Sequence, residues 1–440
     1  MRSGGHGGQR KFATMQTLSE VLVEAVGGVR APGVDAVIRS AGADEKEVCV
    51  GVRPGQLFEI GSITKTMTAM LVLQHVQQAE IDLDDPITSY LPDFRIAVPG
   101  ATERVTIRHL LTHTSGLDCG DDFTDTGEGD DCLERYVAEV LSEVGLLHEP
   151  GARWSYCNAG YSVLGRLIEV LDGRPFDDAL IGRVFGPLGL EATTTARLGP
   201  GQSVTPGHRF DPTVGTLVPE SGRMPRSAGP AGNVVATAMD LANYSEALFS
   251  EHSEILGAQL VQEMLRPQVS IRDGSQGLAW LLPFPNLAMH NGSTPGSTAF
   301  LAVSPGRGSV SVVANGPGAG AIARELRAHL MGTTARQVQP GPGAGAHLEP
   351  ETCVGTYARR HAQIEISFQG DALVASSRFF GAVAQLHAAP EPVALKPVGG
   401  GRFLSSRHYE DGFGVWDFDD LNEEGIPMCL LTTRLLNRET

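Results

Sequence analysis

The hydrophobic pattern divides the chain into three stretches. Residues 14–26 read as an amphipathic helix, its apolar run interrupted by Glu24. "VDAVIRS" and "KEVCVGV" follow, joined by "AGADE", and predict a pair of short strands. A longer helix is predicted to open at Ser62 and to run to about Glu80. Ile63, Met67, Met70, Leu71 and Leu73 leave its middle apolar nearly all round, the mark of a buried helix. An irregular and helical section begins with "HLLTHTSGL". Within it, "GYSVLGRLIEVLDGRP" reads as a strong helix stopped by Gly173 and Pro175.

Near residue 276 the period changes to alternation. "QGLAWLL", "NLAMHNG", "STAFLAVSP" and "SVSVVANG" predict successive strands between Gly/Pro turns, closed by the helix "GAIARELRAHLM". Strands at both ends with helices between them predict an α/β (α+β) domain whose single sheet is built from both of its chain ends. Residues 332–350 are rich in Gly and Pro and read as a linker. Short alternating strands then predict a small all-β unit, a barrel or curved sheet. The expected organisation is residues 1–332, a linker over 333–350, and 351–440.

Composition narrows the function. With 41% apolar and 19% charged residues, the 440-residue chain is globular and long enough to need no disulfide or metal staple. A net charge of −17, with an acidic cluster over residues 118–134, argues against a nucleic-acid partner. No run reaches the ~18–20 apolar residues of a membrane span, and the first residues lack a signal-type apolar run. A cytoplasmic protein with no membrane partner is expected. Six cysteines form no Cys-x-x-Cys, so neither zinc nor any other metal or cofactor is called for. Cys119 and Cys132 flank the acidic loop and would pair only in an exported protein; two idle thiols is the plainer reading.

Candidate chemistry begins with lysine usage. The chain has four lysines, Lys11, Lys46, Lys65 and Lys396, among 34 basic residues. Lys65 stands three residues after Ser62, one helical turn along the same face. A serine hydroxyl needs a base, which a buried lysine can provide and a permanently charged arginine cannot. By itself Ser-x-x-Lys is weak, since chance supplies it in about one such chain in four. Tyr156 and Asn158 form a Tyr-x-Asn in which both side chains would face one site, with Cys157 pointing away. The phenol can relay a proton, and the amide can hold the lysine or a substrate amide. Taken alone, the pair reads more simply as a core tyrosine beside a helix-capping asparagine. His290 is placed at a strand end before Asn291, Gly292 and Ser293. Glycine there would let a ligand lie along the strand edge, and the backbone N–H of Ser293 could join that of Ser62 in an oxyanion hole. Alternatively His290 is a turn histidine. His113 in "HTSG" reads as a structural turn, and the early "GHGG" as a loose tail.

Taken together, Ser62-x-x-Lys65, Tyr156-x-Asn158 and His290-x-Gly292 resemble the serine β-lactamase and penicillin-binding protein superfamily, most of all its class C branch of esterases, D-aminopeptidases and related acyltransferases. "FEIGSITKTMTAMLV", "HLLTHTSGL", "PGARWSYCNAGYSVLG", "GPAGNVVATAMDLANYSEAL" and "HNGSTPGSTAF" carry the likeness over roughly residues 15–332. The resemblance implies a transpeptidase-like fold, an antiparallel sheet flanked by helices with an all-α subdomain. It implies that Ser62 is acylated, that Lys65 and Tyr156 share general-base duty, and that Asn158 positions. His290 takes the place of the more usual lysine of Lys-Thr-Gly, which favours an esterase-like or peptide-acyl role over β-lactam hydrolysis and cell-wall carboxypeptidation. Some relatives carry a lipocalin-like barrel after the catalytic domain, among them D-amino-acid peptidases and the stand-alone penicillin-binding-type thioesterases of nonribosomal peptide assembly. The expected substrate is thus a small-molecule or peptide acyl group, with a peptidyl carrier protein as candidate partner. Such carriers are acidic, so a basic patch at Arg359 and Arg360 would be needed to meet one. A carboxylesterase is the runner-up, and a non-catalytic sensor on this fold a third reading.

Overall fold

A computed structural model describes residues 31–41, 45–211, 214–220, 222–250, 253, 255–272, 274–333, 341–343, 345–386, 391–409 and 412–439. The helix expected over residues 14–26 lies outside the described residues, as do 42–44 of the first turn and 334–340 and 344 of the linker.

The main sheet has eight antiparallel strands in the order Lys46–Val50, Val34–Ser40, Gly308–Ala314, Ser297–Ser304, Leu287–Thr294, Leu281–Phe284, Gly274–Gln276 and Val269–Ile271. Val34 pairs with Ala314 and Ser40 with Gly308, so both ends of the domain share one sheet, as the pattern predicted. Alternation sorts side chains to two faces. Ala36, Ile38, Phe300, Ala302, Val310 and Val312 pack with Ile322 and Leu326 of the helix Ala319–Met331. Val37, Leu301, Val303 and Val313 point the other way, into the main core. "QGLAWLL" is not one strand. Gly277–Trp280 turn between two strands, with Ala279 at φ 65°, which sends Leu278 and Trp280 fully inward.

The helix after Ser62 also begins later than expected. Gly61–Ile63 is a 3₁₀ turn, with Gly61 at φ 50° and the Ile63 N–H donating to the Ile60 carbonyl at 3.3 Å; the α-helix proper is Thr64–Gln77. Residues Thr64 to His75 are all buried, in keeping with the all-round apolar pattern. The threonine hydroxyls satisfy themselves on carbonyls: Thr66 donates to Ile63 at 2.8 Å and Thr68 to Pro230 at 2.7 Å. The second long helix, Ala159–Asp172, ends at Gly173 in the left-handed conformation (φ 65°), as predicted.

The C-terminal unit is a closed barrel of eight strands running from Gly355–Arg359 to Leu435–Arg438, sealed where Tyr357 pairs with Arg438. Tyr357, Ile364, Phe403, Trp416, Phe418 and Leu430 fill it, joined by Leu348. The barrel leans on the acidic loop of the first domain. Arg359 is ion-paired with Asp121. The Arg360 N–H donates to Asp118 at 2.9 Å and its guanidinium reaches Glu143 at 3.5 Å; His361 Nε2 lies 3.0 Å from Asp122. Of the arginine pair expected as a patch for an acidic partner, Arg359 is buried against Asp121, while Arg360 stays partly exposed beside Glu143. The acidic cluster is near enough to neutralise the pair at short range.

Candidate active site

Lys65 projects from the first turn of the buried helix. Its Nζ lies 3.0 Å from Ser62 Oγ and donates to the Ala231 carbonyl at 2.7 Å. That carbonyl belongs to the short Gly229–Gly232 helix within "GPAGNVV", which the sequence offered only as a family motif. Lys65 is completely buried. Burial, and next the nearby Arg434 cation, hold its amine well below the usual ammonium range. A neutral amine has a lone pair for the Ser62 proton, which an ammonium lacks.

Tyr156 arrives from the extended segment before the helix Ala159–Asp172. Lys65 Nζ is 5.0 Å from its ring centre, and its hydroxyl engages the Ser62 side chain. Desolvation pushes the phenol up to about 12, against the opposing pull of the Ser62 hydrogen bond and Arg434. It is thus a neutral phenol near pH 7, able to donate to or relay from Ser62. His113, read from sequence as a turn residue, does turn the chain at φ 59° but also stacks on Tyr156, ring centres 4.3 Å apart. Its Nδ1 accepts from the Cys157 N–H at 3.1 Å, fixing the ring beneath the tyrosine. Burial and the neighbouring Lys65 depress its basicity strongly. Nothing in "HTSG" signals this stacking, because the partner lies in another segment.

The strand Leu287–Thr294 closes the site. A Cβ on Gly292 would sit 1.9 Å from the Ile60 carbonyl oxygen and 3.1 Å from Ser62 N, and one on Gly61 would sit 2.6 Å from Ser293 N. The two backbones are in direct contact, and glycine at both positions permits it. This brings the backbone of Ser293 against the Gly61–Ser62 turn. His290 is not at a strand end but within the strand, opposite Leu301, and it is buried. Its Nδ1 lies 2.6 Å from the Asn291 carbonyl; burial first and Lys65 second push the imidazole down to about 3. It is neutral, so no permanent cation occupies the place of the usual lysine.

Asn158 stands at the N-cap position of Ala159–Asp172 and is buried, yet its side chain makes no capping bond. The capping explanation for this asparagine does not hold. Its backbone is pinned by an N–H bond to the Gly120 carbonyl at 3.0 Å. Cys157, expected to point away, is hydrogen-bonded to Cys119 yet lies near enough to Lys65 and Tyr156 to act on both electrostatically; Cys119 and Cys132 form no disulfide, and all six cysteines are free. The second residue the sequence did not reveal is Arg434. It comes from the barrel, with its guanidinium carbon 5.1 Å from the Tyr156 ring centre.

Comparison with known proteins follows the same lines. The chain is 33% identical over 340 residues to "Penicillin-binding protein 4" of Amycolatopsis lactamdurans, covering 70% of this chain and 86% of that one. It is 34% identical over 203 residues to "Esterase EstB" of Burkholderia gladioli, 43% of this chain and 52% of the relative's length. The crystal structure of SurE superposes with a TM-score of 0.74 at 22% identity over 95% of this chain and 98% of SurE, barrel included; SurE has also been solved with D-Leu. The Beta-lactamase family model matches residues 20–331, well over half of the length, and the chain therefore belongs to the β-lactamase family.

Proposed function

We propose that this hydrolase of the penicillin-binding type acts through an acyl-enzyme on Ser62, as a thioesterase that releases or cyclises a nonribosomal peptide. The observation that carries the acyl-enzyme reading is the 3.0 Å contact between Ser62 Oγ and the amine of Lys65, which is fully buried and whose basicity burial lowers strongly. In acylation the Ser62 oxygen attacks the acyl carbon, and its proton passes to Lys65 Nζ, with the Tyr156 phenol as relay. The backbone amides of Ser62 and Ser293 hold the oxyanion, a contact typically worth ~3–4 kcal/mol per donor. The C–S bond breaks as the lysine–tyrosine pair hands that proton to the leaving sulfur, which departs as a thiol and frees the base for deacylation. Water or the peptide's own amine then attacks the ester, returning Ser62 and giving the free acid or the cycle. Gly292 lets its strand lie directly against the Ile60–Ser62 backbone, where the substrate-binding role expected of it would be indirect, and Asn158 holds the substrate amide.

The peptide-acyl reading is supported by neutral His290, which offers a substrate carboxylate no fixed charge, and by D-Leu in the structure of SurE, whose two-domain layout this chain shares. The reading assigns the reaction to the cytoplasm, where carrier-bound peptides are assembled, with a peptidyl carrier as donor partner met through contacts other than Arg359 and Arg360. The test is incubation with a peptidyl thioester surrogate ending in a D-residue. Cyclic or hydrolysed peptide is expected; formation of neither removes the thioesterase reading. The likeness to the EstB esterase favours a carboxylesterase as second reading, and turnover of p-nitrophenyl esters with no thioester release would promote it. A serine-directed probe that labels the native chain and not Ser62→Ala separates both from a non-catalytic sensor.

A further inference from the structure

We propose that Arg434 is a positioning residue of the acyl-transfer site, delivered by the barrel to the ring of Tyr156 and held there by Asp121. This rests on the acyl-enzyme reading above.

Three observations carry it. First, the turn between the strands Pro427–Leu431 and Leu435–Arg438 is bonded to the Tyr156 segment at two successive residues. The Tyr156 N–H donates to the Thr433 carbonyl at 3.2 Å, and the Leu435 N–H donates to Ser155 Oγ at 3.1 Å. Second, the guanidinium is aimed and not merely present. Asp121 Oδ1 lies 2.5 Å from Arg434 Nη2, while Oδ2 is bound by Arg359, so one carboxylate is oriented by the first arginine and orients the second. A Cβ at position 120 would meet the Arg434 side chain at 3.1 Å and the Tyr156 carbonyl oxygen at 2.7 Å, so Gly120 makes the room. Third, the buried Arg434 Nε has no hydrogen-bond partner among the described residues, so the guanidinium's charge is not fully taken up by Asp121.

The consequence is electrostatic. Arg434 and Lys65 Nζ both stand about 5 Å from one aromatic ring. A fixed cation there disfavours a second positive charge on Lys65 and favours a phenolate on Tyr156. Of the other groups facing the pair, Asp121 and Cys157 oppose this, and Tyr161, His113 and His290 are neutral. Arg434 thus adds to the larger effect of burial in lowering the basicity of Lys65, and the barrel completes the site.

The experiment is the pH profile of kcat/KM of the full chain on an activated thioester that bears no carboxylate. Arg434→Met is expected to move the acidic limb up by about one pH unit, a loss of about tenfold below the limb with little change on the plateau. Arg434→Gln, which can still hydrogen-bond Asp121, gives the same shift and serves if the methionine variant melts too early to assay. Arg434→Lys restores most of the limb. Arg360→Ala loosens barrel docking at Glu143 without touching Tyr156 and leaves the limb in place. An unmoved limb in folded neutral variants overturns the proposal, as does a loss confined to KM and to substrates with a free carboxylate, which would make Arg434 a substrate contact. If the wild-type chain is never acylated at Ser62, the acyl-enzyme reading falls and takes this with it; acylation with an unmoved limb overturns the role of Arg434 alone.

Discussion

The Lys65 amine lies 3.0 Å from the Ser62 hydroxyl oxygen while donating to the Ala231 carbonyl at 2.7 Å. The bond to Ala231 thus holds the nitrogen within hydrogen-bond reach of the serine oxygen. Lys65→Arg keeps a cation at this point and loses the base. The expected result is a fall of acylation by at least about 10³-fold, read by intact-protein mass spectrometry with an acylating ester. Full labelling of the arginine variant would refute the base assignment.

Tyr156→Phe separates packing from proton transfer. The ring keeps its stack on His113, with centres 4.3 Å apart, and loses only the oxygen that engages Ser62. Thermal stability is expected to change little, while kcat/KM falls by about 10²–10⁴-fold. A phenylalanine variant with near wild-type turnover would reduce Tyr156 to a wall of the pocket.

His290 gives a pH dependence of stability. Its imidazole titrates near 6.5 when unfolded and is pushed down to about 3 when folded. Between these values only the unfolded chain binds the proton. Stability therefore rises with pH across the window and levels off above about 6.5. One such group contributes at most about 1.4 kcal/mol per pH unit. Urea unfolding of wild type and His290→Gln at several pH values between about 4 and 7 should show the shallower slope in the variant. Equal slopes would mean that His290 is protonated in the folded state.

Gly292→Ala places a methyl group where only 1.9 Å separates it from the Ile60 oxygen. The strand must move off the Gly61–Ile63 turn, at a cost of about 1–3 kcal/mol. The larger loss is expected in activity, by about 10²-fold or more, because one oxyanion donor is displaced. Thermal melting and single-turnover acylation measured together would test this; a variant less stable but fully active would remove Ser293 N from the oxyanion role.

Much of this site was legible before the fold. The lysine was conspicuous because the chain otherwise prefers arginine, and its spacing from Ser62 put both on one turn. The alternating runs after residue 276 and the closing helix also appear where expected. Local backbone detail was not legible. The 3₁₀ turn at Gly61–Ile63 depends on the Val234 carbonyl, which accepts the Ile60 N–H at 3.1 Å. The split of "QGLAWLL" depends on the Ala279 N–H reaching the Leu111 carbonyl at 3.1 Å. Both are set by partners far away in sequence.

The sequence by itself determined the residue types and their order, hence the sheet, the buried helix, the barrel and the chemistry of serine with lysine. It did so because periodicity and side-chain chemistry are local properties. Only the tertiary structure decided that His113 backs Tyr156, that His290 is buried and neutral, that Arg359 is buried against Asp121, and that Arg434 reaches the site from the other domain. Those outcomes depend on burial and on charge separations across the fold, and neither exists until distant segments pack.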